Sequence, residues 1–87
     1  MIRVGVFDSG VGGLSVVAEL MAQLPAQPLI YLADQVNAPY GQRSLDEIRE
    51  LSHGITRFLL DKGAHVIVIA CNTASAGALH WLRRQYP

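Results

Sequence analysis

Cys71 is the only cysteine of the chain and falls within Ala70-Cys71-Asn72-Thr73-Ala74-Ser75. It directly follows the apolar run His65-Val66-Ile67-Val68-Ile69-Ala70. A thiol at the end of such a strand lies at the carboxyl edge of a parallel sheet, where open α/β folds bind ligands. Small and capping residues after it predict a helix start, whose partial positive charge favours thiolate over thiol. A second polar group, Asp8-Ser9, also ends a short apolar run and leads into Gly10-Val11-Gly12-Gly13. A carboxylate beside a thiol suits proton transfer, and hydroxyls with backbone N–H groups near glycines suit a small polar substrate. A third segment, Pro39-Tyr40-Gly41, offers a tyrosine to line the crevice and a Gly41 N–H to grip a carboxylate.

Each of these features also has a purely structural reading. Asp8 and Ser9 can cap a helix and shape a turn. A buried cysteine can act as a small hydrophobe, although the polar pair Asn72-Thr73 is an unusual escort for one. Tyr40 can be an exposed residue of a plain turn. The glycines after the first strand invite a dinucleotide reading, with Asp34 placed where a ribose-binding acid would sit. That pattern requires Gly or Ala where the chain has Ser15, and Asp8 would put a carboxylate near the pyrophosphate. His53, His65 and His80 are dispersed without ligand spacing, so no metal site is expected.

Three strand-then-helix units must position these residues. Residues 2–7 form a β-branched apolar run. A helix over about 13–24 follows, expected to bury Leu14, Val17, Leu20, Met21 and Leu24 on one face. Pro25 and Pro28 punctuate the turn before a second strand, residues 29–33. A loop over 35–43 leads to Ser44-Leu45-Asp46-Glu47, which reads as a capping box. The helix it opens repeats Leu45, Ile48, Leu51, Ile55, Phe58 and Leu59, and Lys62-Gly63 closes it. The third strand is continuously apolar, as a strand covered on both faces is. The last helix runs over about 73–85, with Trp81, Arg83 and Arg84 expected on its exposed side.

Alternating strands and amphipathic helices predict a three-layer α/β/α fold with a parallel sheet and right-handed crossovers. In the flavodoxin-like order 2-1-3, the ends of strands 1 and 3 flank the switch point, so Asp8 and Cys71 face each other across the ligand crevice. Adjacent strands lie ~4.8 Å apart. That order leaves strands 2 and 3 as open edges, although strand 3 is the most apolar of the three. The chain therefore reads as part of a larger domain, and its uncovered apolar edge should favour self-association.

Composition agrees with a piece of an intracellular α/β protein. The chain has 87 residues, 51% of them apolar, and seven basic side chains balance seven acidic ones. Mean hydropathy is +0.26, rich for so short a chain. The charge balance gives no footprint for nucleic acid or an anionic membrane. No apolar run approaches the ~20 residues of a transmembrane helix. A single cysteine forms no internal disulfide, and no secretory signal pattern is present, so a cytoplasmic location is expected.

Taken together, Val6-Phe7-Asp8-Ser9-Gly10-Val11-Gly12-Gly13-Leu14, Pro39-Tyr40-Gly41 and Ala70-Cys71-Asn72-Thr73-Ala74-Ser75 resemble glutamate racemases over the whole chain. The resemblance implies that residues 1–87 are the amino-terminal α/β portion of a racemase domain, with a second domain and a completing segment absent from it. It implies a cofactor-independent isomerase that interconverts L- and D-glutamate for peptidoglycan synthesis, homodimeric when intact. Catalysis would pass through Cys71 and a second cysteine outside these residues, with Asp8 assisting Cys71. Ser9, Pro39, Tyr40, Gly41, Asn72 and Thr73 would hold the substrate. These 87 residues alone would be inactive. Ala33 and the segment Gln35-Val36-Asn37-Ala38 depart from commoner family versions. An aspartate or hydantoin racemase of the same superfamily is the alternative, with a nucleotide-binding module behind it.

Overall fold

The computed structural model describes residues 2–8, 13–37 and 40–86. Along the chain run β1 (Val4–Asp8), α1 (Leu14–Gln23), β2 (Leu29–Ala33), α2 (Leu45–Asp61), β3 (Val66–Ile69) and α3 (Asn72–Gln85), with a short 3-10 turn at Tyr40–Gln42 before α2. The three strands form one parallel sheet in the order β2-β1-β3, as expected from the alternation of elements. Val6 pairs with Tyr31 on one side and with Val68 on the other, and Phe7 with Leu32 and Ile69. This register aligns the carboxyl ends of all three strands along one sheet edge.

The central strand is the most deeply covered. Val6 and Phe7 have no exposed surface, and because successive side chains alternate, they bury opposite faces of the sheet. Phe7 joins Ile48, Ile55, Leu59, Ala74, Ala78 and Leu82 in the core between the sheet, α2 and α3. Gly5 lies on the same face, against Leu59, Ala64 and Ile67, where an added Cβ would approach their carbons to 3.1–3.2 Å. Val6 and Asp8 turn to the other face, toward the start of α1.

Both ends of α2 follow the sequence reading. The Ser44 hydroxyl accepts the Glu47 N–H at 3.2 Å while the Glu47 carboxylate accepts the Ser44 N–H at 3.3 Å, closing the capping box. These bonds, followed by the Arg43 contact, hold the Glu47 carboxyl below its ordinary value. After Lys62 the chain reverses at Gly63, whose φ of +98° favours glycine.

Three expectations are corrected. First, α1 buries none of its residues: Leu14, Met21 and Leu24 are about half exposed, and only Val16, Val17 and Leu20 are partly covered. The helical period is present, but α1 makes few contacts with the other described elements, so its apolar positions stay largely uncovered. Second, β3, at the sheet edge as the strand order requires, is not covered on both faces: Val66 is exposed and Ile67 to Ile69 are half covered. Third, Trp81 does not belong to the exposed side of α3. Its ring meets His53 of α2 edge to face at 5.7 Å, and Tyr86 lies against the same imidazole at 5.6 Å. The 3.6-residue period brings Trp81 near Ala74 and Ala78, on the side turned toward α2. Arg83 and Arg84 are exposed as expected. In α2, Leu45 and Phe58 are also about half exposed, and Ser52 and Thr56 are buried among the apolar positions.

Candidate functional site

The carboxyl edge of the sheet gathers the polar residues singled out by the sequence. Asp8 ends β1 and is 4% exposed; Cys71 follows β3 and is 8% exposed. The strands that carry them are direct neighbours: the Ala70 N–H donates to the Phe7 carbonyl at 2.9 Å, so the ladder continues to the residue just before Cys71. Adjacent parallel strands thus deliver the carboxylate and the thiol to one edge.

Each of the two side chains also holds its own helix. The Asp8 carboxylate accepts the backbone N–H of Gly13, which precedes α1. A Cβ at Gly13 would stand 2.9 Å from the Asp8 Cβ, so this close approach requires glycine. Cys71 is the N-cap of α3, and its Sγ accepts the Ala74 N–H at 3.5 Å. The sulfur therefore sits at the positive end of α3, facing amide donors. The structural reading of Asp8 and Cys71, as residues that hold the starts of helices, is thus met.

Tyr40 is buried, not an exposed turn residue: it is 1% exposed and shares the core cluster with Phe7, Cys71 and Ala74. Its hydroxyl donates to Asp34 Oδ2 at 2.6 Å. The Asn37 side-chain amide donates to both oxygens of the same carboxylate at 3.0 and 3.1 Å. Arg43 Nε donates to the Asn37 carbonyl at 2.9 Å, and the Arg43 guanidinium pairs with Glu47 at 3.2 Å. The loop between β2 and α2 is therefore tied from Asp34 to the capping box. At its start, the Asp34 N–H donates to the Asp8 carbonyl at 2.9 Å.

Burial, then the hydrogen bond and charge of Asp34, push the Tyr40 phenol well above its ordinary pKa. Burial, with the Asp8 charge second, raises Tyr31 in the same direction. A raised pKa in the folded state makes the protonated phenol the stabilising form. Its contribution is complete below the unfolded value of about 10 and is lost as pH rises above it. Stability should therefore fall between about pH 10 and pH 12, and Tyr40→Phe should flatten that fall while Tyr31 keeps part of it. Urea midpoints measured across this range test the point, and equal slopes for the two proteins would refute it.

Gly41 and Asn72 are exposed and Thr73 is partly so, at the same end of the sheet as Cys71. A Cβ at Gly41 would meet nothing within 4 Å, so its backbone borders open space. Ser9 and Pro39 lie outside the described residues. Asp34 follows β2 as the sequence reading expected, but that reading gave it no partner. It was visible only as an acid at a strand end, suited to a ribose, and its partners Asn37 and Tyr40 emerge only once the loop closes. No group of three or more His, Cys, Asp or Glu suited to a metal ion occurs among the described residues. None of their helices is long and apolar enough to cross a membrane.

This end of the sheet gathers a thiol, a carboxylate and a buried phenol, residue types that suit proton transfer on a small polar molecule. Comparison with known proteins points to one group. The chain is 56% identical over 84 residues to a glutamate racemase of Pseudomonas paraeruginosa, covering 97% of this chain and 32% of that protein. It superimposes on glutamate racemase from Thermus thermophilus, crystallised with β-chloro-D-alanine, with TM-score 0.93 and 43% identity, covering 99% of this chain and 34% of that one. A glutamate racemase from Francisella tularensis, crystallised with D-glutamate, matches with TM-score 0.89 and 41% identity over 95% of this chain and 31% of its own. No family model matches the chain. The chain spans about a third of the length of the curated relatives it matches. In sequence and in fold, it is similar to glutamate racemases along nearly all of its length.

Proposed function

We propose that this chain is part of a glutamate racemase and supplies one side of its active site. The observation that carries the proposal is that neighbouring strands bring Asp8 and Cys71 to the same end of the sheet, with Tyr40 in the buried cluster that holds Cys71, in a chain more than half identical to such an enzyme. Racemisation removes the Cα proton from one face of the amino acid and returns a proton to the other. That proton is weakly acidic, so the reaction needs a base, a conjugate acid opposite, and donors at the substrate carboxylate to stabilise the developing charge.

Cys71 is the group that exchanges a proton with Cα on its side, acting on D-glutamate as base and as acid in the reverse direction. Asp8 assists the proton handling of the thiol. Ser9, Tyr40, Gly41, Asn72 and Thr73 anchor the substrate's ammonium and carboxylate groups, with Pro39 in the same binding set. The second thiol of the pair comes from outside these 87 residues, so the chain alone does not racemise. No added cofactor enters this scheme. The product, D-glutamate, serves peptidoglycan synthesis in the cytoplasm, and the intact enzyme is a homodimer.

Polarimetry of the full-length protein with D- and L-glutamate, without added cofactor, tests the reading. Rotation should decay to zero from either enantiomer and stay constant with aspartate. Decay with aspartate alone would move the assignment to that substrate, and no decay with either would end it.

A further inference from the structure

Asp8 ends β1 and Cys71 caps α3, and a chain of hydrogen bonds runs from the end of β1 through Asp34 to the turn beside Cys71. The Asp34 N–H is bonded to the Asp8 carbonyl, and its carboxylate takes the Tyr40 hydroxyl at 2.6 Å. Tyr40 lies in the same buried cluster as Cys71, and the 3-10 turn it begins packs against α3. Asn37 fixes the carboxylate from behind with two further hydrogen bonds, and Arg43 fixes Asn37. One residue, Asp34, thus links the end of β1, through its backbone N–H, to the turn that carries Gly41, through its carboxylate.

We propose that Asp34 is a positioning residue for the active site: its carboxylate locks the Tyr40 hydroxyl and so holds the Tyr40–Gln42 turn, with the Gly41 N–H, where a substrate carboxylate binds. This inference rests on the racemase reading for its substrate, but the lock itself rests on the hydrogen bonds alone. Asp34 does not touch the reacting atoms. Its loss should therefore weaken substrate binding more than it slows proton transfer. The phenol matters through its hydroxyl. With the carboxylate gone, the buried hydroxyl has lost its only described acceptor and the turn has lost its tether.

The test uses the full-length protein, with KM and kcat for both glutamate enantiomers. A hydrogen bond to a charged group corresponds to about tenfold or more in affinity when lost. Asp34→Ala should raise KM by about tenfold while kcat changes by less than about threefold. Tyr40→Phe should do the same. The double variant should be no worse than the worse single one, because both remove one interaction. Asp34→Asn keeps an acceptor oxygen for the phenol and should recover most of the lost affinity. Multiplying KM effects in the double variant, a loss confined to kcat, or failure of Asp34→Asn to recover would each overturn the proposal. If Asp34→Ala does not fold, Tyr40→Phe decides alone, and an unchanged KM refutes the lock. If the wild-type protein racemises nothing, the functional reading falls separately. The lock is then read from urea midpoints of the same four proteins, where additive shifts refute it and non-additive shifts support it.

Discussion

Cys71→Ala in the full-length protein is expected to lower kcat for both glutamate enantiomers by about 10²–10⁴-fold, the usual contribution of a positioned acid or base. Both directions suffer because a two-base reaction uses the same thiol as base one way and as acid the other. The fold should survive, since the exchange removes one sulfur atom and one long cap bond to Ala74. Far-ultraviolet circular dichroism and a urea midpoint close to that of the wild type are the accompanying controls. Cys71→Ser keeps a capping oxygen while replacing the thiol with a far weaker acid, so it should be nearly as inactive but better folded. A variant without this thiol that turns over at the wild-type rate would remove Cys71 from the chemistry and leave it only as the cap of α3.

The second large effect is on stability. Phe7→Ala should cost about 3–5 kcal/mol, the usual range for truncating a buried aromatic side chain. Phe7 has no exposed surface and sits where the central strand meets α2 and α3. A domain of this size is stable by only about 4–13 kcal/mol at ~0.05–0.15 kcal/mol per residue, so this loss would leave it marginal or unfolded. Urea unfolding of the full-length protein checks it, and a cost under about 1 kcal/mol would show that the core does not centre on this ring. The effect also reaches the site, because the Phe7 carbonyl is the acceptor that holds Ala70, the residue before Cys71.

What the sequence conveyed about this molecule follows what its local rules encode. Strand and helix alternation, β-branched runs and the Ser44–Glu47 box are short-range signals, and they led to the order β2-β1-β3 and to the edge where Asp8 and Cys71 end. The capping box is legible because its two partners are three residues apart. Apolar spacing in α1 reported which residues share a face, not what covers that face, and Leu14, Met21 and Leu24 turned out exposed. Trp81 was misplaced for a related reason: its partner His53 lies on another helix, so no periodicity within α3 reveals it. Asp34 shows the limit within the site itself. Its bonds to Asn37 and Tyr40 depend on the path of an irregular loop, and composition carries no trace of that path.

A few contacts join these levels. Parallel pairing with β1 sets the end of β3, the end of β3 sets the start of α3, and the start of α3 places the Cys71 sulfur against the Ala74 amide. On the other side, Asp34 continues the β1–β2 ladder by one bond and passes that alignment to Tyr40. The geometry is economical in that the residues proposed for chemistry also terminate and cap the elements that carry them. Variants at Asp8 should therefore show mixed effects, on the start of α1 as well as on turnover.

The most direct measurement is proton NMR of glutamate in D₂O with the full-length protein and no added cofactor. If protons pass through Cys71 on one face and a second base on the other, each inversion should replace the Cα proton with solvent deuterium. The Cα–H signal should then vanish as the optical rotation decays, and Cys71→Ala should stop both. Inversion that keeps the original proton, or exchange that continues undiminished in Cys71→Ala, would contradict the account.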